Sequence, residues 1–430
     1  TYLSLLEENP ATARLLVTLF GTSGFLTRYL LGHPELLDEL VLGSHAVRQK
    51  SRGRLVEELG AVLGRARDAE ERLDALRRFR NTEFLRIALH DLWGDLGPEE
   101  VSGQLTLVAE ACLEEVCRDV GGRLLRKYGP SEGAGDWDPG RFSVLGLGRL
   151  GGAEIDYHSD LDIVFMYEAG RGYGPGRKLS PAEFFARLAQ RMISALATRT
   201  QEGIAFRMDA RLRPSGQAGP LVTSLAAFAS YHRGGTGQTW ERQALLRLRP
   251  VAGDPKLGGD ARAVVNDLLF GGAPAVDPRP EIWRMRRQLE EEAERTARGR
   301  VDLKAGPGGL LDVEFAVQAL QLLHGWREAA LQSPNTLTAL EALRTRGHLA
   351  DEDGVALGNG YRFLRAVQGR LRVLQERPTD TLPEDPERLT DLARGLGYPG
   401  TGAEAMVRDV ERHRLGVRAA YASVLGGGGT

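Results

Sequence analysis

FSVLGLGRLGGAEIDYHSDLDIVFMY, Phe142–Tyr167, contains two apolar runs separated by a glycine-dense turn. Val144, Leu145 and Leu147 lead into Gly146, Gly148, Gly151 and Gly152, and a second run interleaves Asp160 and Asp162 with Leu161 and Ile163. Bounded apolar runs with β-branched and aromatic residues predict strands. Alternate side chains of a strand share a face, so Asp160 and Asp162 project together while Leu161, Ile163 and Phe165 point the other way. Two carboxylates held that close repel each other, and a cation between them removes the penalty. The pattern points to a metal-dependent phosphoryl or nucleotidyl transferase.

Two other readings compete. A D-x-D taken alone also fits a solvated strand edge. GLGRLG fits the dinucleotide fingerprint G-x-G-x-x-G, with Glu168 about 20 residues on. That fingerprint needs a helix packing behind its glycines. Only Ala153–Ser159 separates Gly152 from Asp160, and this segment has no apolar helical stripe. A glycine turn delivering paired aspartates instead suits a site where backbone amides cradle a triphosphate and the aspartates hold Mg²⁺.

The chain has 430 residues, a formal net charge of −2 and 42% apolar residues, enough for sizeable cores in two or three domains. Near-neutral charge gives no electrostatic case for nucleic acid. The two cysteines, Cys112 and Cys117, are too few for a disulfide framework. Cys112 falls on the apolar stripe Val101, Leu105, Val108, Cys112, Val116, which predicts a buried thiol. With no signal peptide or long apolar span, the expected location is the cytoplasm, away from membranes. The chain starts at Thr1, so a piece of something longer is expected.

Residues 1 to about 130 read as helical from their 3.6-residue apolar spacing, with Pro10, Pro34 and Pro98 at helix boundaries. Arg77, Arg78 and Arg80 read as a solvated helix face. Ser131–Gly140 reads as a linker and Ala169–Lys178 as a glycine-rich mobile loop. Ser180-Pro181-Ala182-Glu183 is a capping box opening a helix. Ile204–Arg213, IAFRMDARLR, predicts a strand with Arg207, Asp209, Arg211 and Arg213 on one face. Asp209 is thus the candidate third carboxylate, with Arg211 and Arg213 available to phosphate. Trp240 reads as core, and Arg247 and Arg249 as a helix edge or phosphate ligands. Gly271–Pro280 marks a second boundary, and helices follow. Ile282–Arg298 reads as solvated. Lys304 sits in a tight loop before Asp312 and Glu314, which read as acids complementing a helix dipole, with ligand contact as the alternative. The expected division is an N-terminal helical region 1–135, a catalytic domain 136–272 and a C-terminal helical bundle 273–430. The fold class is α+β, and no repeat of the central motif occurs.

Gly151-Gly152 followed by Ser159-Asp160-Leu161-Asp162, with an acid on a later strand, resembles the polymerase β-type nucleotidyltransferases. The longer strings GLGRLGGAEIDYHSDLDIVF, MDARLRPSGQAG, TWERQALLRLR and LKAGPGGLLDVEF together resemble the glutamine synthetase adenylyltransferase family, as do YLSLLEENPATARLL and HPELLDEL near the start. That family joins two related halves, one attaching AMP to glutamine synthetase and one removing it. ATRTQEGIAFRMDARLRPSG and WERQAL resemble the attaching half, since the removing half typically carries Phe where this chain has Ser215, and YLSLLEENP resembles the segment joining the halves. The resemblance implies a small mixed sheet with flanking helices, and transfer of AMP from ATP to a tyrosine hydroxyl. It implies Mg²⁺ at Asp160, Asp162 and Asp209, and triphosphate contacts at Gly151, Gly152, Ser159, Arg211 and Arg213. It also implies regulation by glutamine and the PII signal protein. The alternatives are the removing half, a catalytically silent regulatory module, and a template-directed polymerase. The intact acids speak against the silent module, and the missing basic stripe against the polymerase.

Overall fold

The computed structural model describes residues 16–17, 20–21, 24–34, 47–129, 142–168, 179–234, 238–375, 377–400 and 402–426. The expected linker 131–140, the glycine-rich loop 169–178, the opening YLSLLEENP, most of HPELLDEL and the last four residues lie outside them.

The chain folds as a mixed α+β structure. Its sheet comprises β1 (Phe142–Gly146), β2 (Leu161–Tyr167), β3 (Met208–Asp209), β4 (Val222–Ser224) and β5 (Arg249–Gly253). The order is β3-β2-β1-β5. β1 runs antiparallel to β2 and β5, while β2 pairs in parallel first with β3 and then with β4. Alternation sorts the two faces. Phe142, Val144, Leu161, Ile163 and Phe165 join a core shared with the N-terminal helices, whereas Leu145, Val164 and Met166 join one shared with the C-terminal helices. Both faces are therefore covered, and Asp162 falls on the C-terminal side.

The N-terminal helices are α1 (Gly24–Gly32), α2 (Arg52–Gly64), α3 (Ala69–Trp93) and α4 (Pro98–Tyr128). Ser51 and Asp68 cap α2 and α3 by accepting from Arg54 and Glu71 N–H groups, and Gly94 ends α3 at φ 76°. Pro98 opens α4 as its sequence position predicts. Cys112 and Cys117 are buried, and burial pushes the Cys112 thiol up to about 12.

The arginine run on α3 is not a solvated face. Arg77 is fully buried and donates to the carbonyls of Leu73, Ala195, Thr198 and Gly203. It thereby satisfies the open end of α6 (Pro181–Ala197), whose Ser180 capping box forms as predicted. Arg80 lies over the Phe84 ring at 3.7 Å. Only Arg78, ion-paired to Glu202, stays partly exposed.

Between β1 and β2 lies α5, the single turn Gly148–Gly151. After β4 come α7 (Leu225–Arg233) and α8 (Thr239–Leu246), and after β5 come α9 (Pro255–Phe270) and α10 (Arg279–Ala297). The C-terminal helices are α11 (Leu310–His324), α12 (Thr336–Thr345), α13 (Asp351–Gln375), α14 (Pro386–Gly395) and α15 (Ala403–Leu425). α10 is not wholly solvated, because Ile282 and Arg286 are buried against its neighbours. Among the described residues no helix is long and apolar enough to cross a membrane.

Candidate active site

The single turn of α5 is too short to back a dinucleotide fold, as the spacing before Asp160 predicted. What the turn does is bring Gly148 against β2. A Cβ on Gly148, whose φ is 51°, would fall on Asp162 Oδ2. Gly148, Ser159, Asp160, Asp162 and Asp209 all line one cleft of about 580 Å³. Asp162 and Asp209 are register partners on adjacent parallel strands. Asp160 lies one residue ahead of β2 and is exposed.

Burial first, then the facing Asp209 carboxylate, pushes the Asp162 carboxyl up to about 6, with Asp160 adding to the effect and Lys304 opposing it. Asp209 behaves oppositely. Hydrogen bonds from Arg211 hold its carboxyl below the usual range, with Arg211 Nε at 3.0 and 2.9 Å from the two oxygens. This pairing turns Asp209 toward Arg211, and among the described residues no three acidic, histidine or cysteine side chains stand ready-made around an ion. Asp160, Asp162 and Asp209 would offer carboxylate oxygens, the hard donors that Mg²⁺ takes.

The strand expected over 204–213 is only two residues long, Met208–Asp209. Alternating charges there mimic strand periodicity, but a turn begins at Arg211. Arg211 lines the cleft, whereas Arg213 donates to the carbonyls of Ala210, Gln217 and Gly219 and closes the loop that follows. Ser159 accepts from the Asp156 N–H at 3.0 Å, leaving its hydroxyl proton for a ligand.

Gly151 and Gly152 are buried behind the turn, off the cleft wall. A Cβ on Gly151 would fall on the Arg247 carbonyl oxygen. Gly151→Ala is therefore expected to cost several kcal/mol, on the order of a severe overpacking change. Gly103→Ala on α4, where nothing lies within 4 Å, is expected to leave the urea midpoint unchanged or raise it. Equal midpoints for the two variants would refute the close-packing role.

Other side chains depart from their sequence reading. Trp240 is 41% exposed and lines the cleft, where the sequence suggested core. Arg247 is buried, 2.6 Å from Glu154 and 3.5 Å from Glu314, and Arg249 donates to the carbonyls of Leu150 and Gly151; neither is free for phosphate. Asp312 is fully buried, 2.6 Å from Arg286 and 3.1 Å from Arg418, and accepts from Gly308 N–H at 2.8 Å. It lies in the first turn of α11, as the sequence predicts, and is an ion-pair hub as well. Arg149, His158, Lys304, Glu314, Arg372 and Asp380 also line the cleft, and of these the sequence raised only Glu314 as a ligand contact. The signal that could have drawn notice is the left-handed backbone at Ala153 and His158, but dihedrals are not legible from residue names.

A small mixed sheet presenting carboxylates beside a glycine turn, walled by helices, defines a nucleotidyltransferase core. Residues 13–263 match the family model described as glutamate-ammonia ligase adenylyltransferase, and residues 284–425 match that described as GlnD PII-uridylyltransferase. The bifunctional glutamine synthetase adenylyltransferase/adenylyl-removing enzyme of Thioalkalivibrio sulfidiphilus (strain HL-EbGR7) is 35% identical over 414 residues, covering 95% of this chain and 42% of the relative. The protein of the same name from Nitrosococcus oceani is 34% identical over 408 residues, with the same two coverages of 95% and 42%. The chain belongs to the glutamate-ammonia ligase, or glutamine synthetase, adenylyltransferase family. It spans about two fifths (42%) of the length of these curated relatives.

Proposed function

We propose that this chain transfers AMP from ATP to a tyrosine hydroxyl of glutamine synthetase, releasing pyrophosphate. The observation that carries the reading is the meeting of Asp160, Asp162 and Asp209 in one cleft, with Asp162 pushed up to about 6 by burial and by Asp209. Asp160, Asp162 and Asp209 would hold Mg²⁺, which supplies charge neutralisation for the phosphates and for the attacking oxygen. Arg211, on the cleft rim, exchanges Asp209 for a phosphate oxygen of the nucleotide. Asp209 then loses the hydrogen bonds that keep its proton affinity low. A tyrosine hydroxyl, with pKa about 10, needs a proton acceptor at neutral pH, and the released Asp209 carboxylate serves as one. The tyrosine oxygen bonds to the α-phosphorus as the bond to the pyrophosphate oxygen breaks. Ser159 donates its hydroxyl to the triphosphate. Gly151, Gly152 and Arg213 shape the turn and loop around it.

The proposed setting is the cytoplasm, with glutamine and the PII signal protein as regulators. The match of residues 284–425 to a PII-uridylyltransferase model favours the PII part. Mass spectrometry of glutamine synthetase incubated with this chain, ATP and Mg²⁺ is expected to show the added mass of one AMP on a tyrosine. The relatives' names also carry the removing activity. Adenylylated glutamine synthetase given phosphate without ATP yields ADP only if this chain is the removing part. ADP there, with no mass gain in the first assay, would replace the proposal by its reverse.

A further inference from the structure

Beside the acids, the cleft has a wall of cations that the proposed chemistry has not yet used. Arg149 follows Gly148, the glycine that abuts Asp162, so this wall begins one residue from the carboxylates. Both terminal nitrogens of Arg149 are buried and have no hydrogen-bond partner. Its nearest acid, Asp156 Oδ2, lies 3.7 Å away and is shared with Arg365 at 3.6 Å and Arg372 at 3.7 Å. Arg372 has a further partner in Asp380 at 2.7 Å, and Arg365 donates to Ser102, Gln368 and the Glu154 carbonyl. Lys304 lines the same cleft, with its backbone N–H bonded to Asp302 and no acceptor for its ammonium among the described residues.

The carboxylates of this wall have closer cationic partners than Arg149, and Glu314 and Asp380 act on it only through space. Glu154 is taken up by Arg247, Thr336 and Tyr361, and Glu314 faces Arg247. Set against Glu154, Asp156, Glu314 and Asp380, the cations Arg149, Arg247, Arg365, Arg372 and Lys304 leave one positive charge over; Lys304 is balanced through space by Asp162 and Asp380, and Arg149 is left without a hydrogen-bonded acceptor. A buried charged donor without an acceptor carries its full desolvation cost, and a fold keeps one where a ligand supplies the missing oxygens. Guanidinium and ammonium groups side by side suit a chain of phosphates, whose oxygens take a planar fork and a point charge together.

We propose that Arg149 and Lys304, with Arg372 beside them, receive the β- and γ-phosphates of the nucleotide. This subsite rests on the AMP-transfer reading, and it replaces Gly151, Gly152 and Arg213 as the main grip on the phosphate tail. It joins the glycine turn to the loop before α11, so both the sheet and the C-terminal helices close on the leaving pyrophosphate.

Isothermal titration of the chain with inorganic tripolyphosphate, with ATP and with AMP, each in Mg²⁺ buffer, tests it. Arg149→Gln and Lys304→Gln should each weaken tripolyphosphate and ATP by about tenfold or more, while AMP binds as before. The subsite is overturned if wild-type protein fails to bind tripolyphosphate. It is equally overturned if a variant with the wild-type circular dichroism spectrum keeps wild-type tripolyphosphate affinity, or loses AMP to the same extent. Should Arg149→Gln fail to fold, Lys304→Gln decides alone, because its ammonium holds nothing in the fold. Tripolyphosphate binding that depends on Arg149, without AMP transfer to glutamine synthetase, sinks the functional reading and leaves the subsite standing. Undiminished transfer at low ATP by both variants does the opposite.

Discussion

Asp162→Asn is expected to raise the melting temperature of the metal-free protein at pH 8 while lowering AMP transfer roughly a thousandfold. The two effects share one cause. Burial, Asp209 and Asp160 move the Asp162 carboxyl from 3.8 to about 6, so the fold disfavours its ionised form. A carboxyl with a folded pKa above its unfolded value contributes stability that is complete below the unfolded pKa. That contribution is lost as pH rises through the folded pKa. At about 1.36 kcal/mol per unit, the deficit at pH 8 is on the order of 3 kcal/mol. Asparagine keeps the shape without the charge. Calorimetry in EDTA should therefore show the variant ahead at pH 8 and the gap closing toward pH 4. If the variant is less stable than wild type at pH 8, Asp162 is stabilised by its surroundings and the crowded-carboxylate picture is wrong.

The second large effect is expected far from the acids. Asp312→Ala should destabilise the protein by about 3–5 kcal/mol in urea, the usual range for breaking a buried ion pair from one side. Arg286, fully buried, would lose the carboxylate at 2.6 Å, and Arg418 and Gly308 N–H would lose theirs. Gly308 belongs to the loop that presents Lys304. Arg286 also donates to the Gly306 carbonyl of that loop at 2.9 Å. ATP affinity should therefore fall with stability, although Asp312 does not line the cleft. An Asp acting only through the helix dipole would cost about 1 kcal/mol or less, and a loss that small would refute the hub.

Particular residues show where sequence reading works. Asp160 and Asp162 reach one cleft because a strand's two-residue repeat follows from backbone geometry alone, and the opposed Leu161, Ile163 and Phe165 enter a core for the same reason. The short glycine turn before Asp160 excluded a dinucleotide fold by chain length. The same logic misled over 204–213, where charges alternate but β2, which runs on past Asp162, pairs next with β4 while the chain after Asp209 turns away at Arg211. Periodicity reports which face a side chain would take. It does not report which segment takes the edge of the neighbouring strand.

The sequence by itself determined the α+β class, the glycine turn, the paired aspartates and the family to which the chain belongs, each carried by short local strings whose reading needs no distant partner. Tertiary structure alone decided that Arg77 closes the end of α6, that Trp240 borders the cleft, and that Asp312 ties three segments together. It also decided that Arg149 and Lys304, distant in sequence, share a wall with Asp162. The physical reason is that a charged side chain's role depends on what neutralises it. Partners for these residues come from segments that only the packing of helices on both faces of the sheet brings within reach.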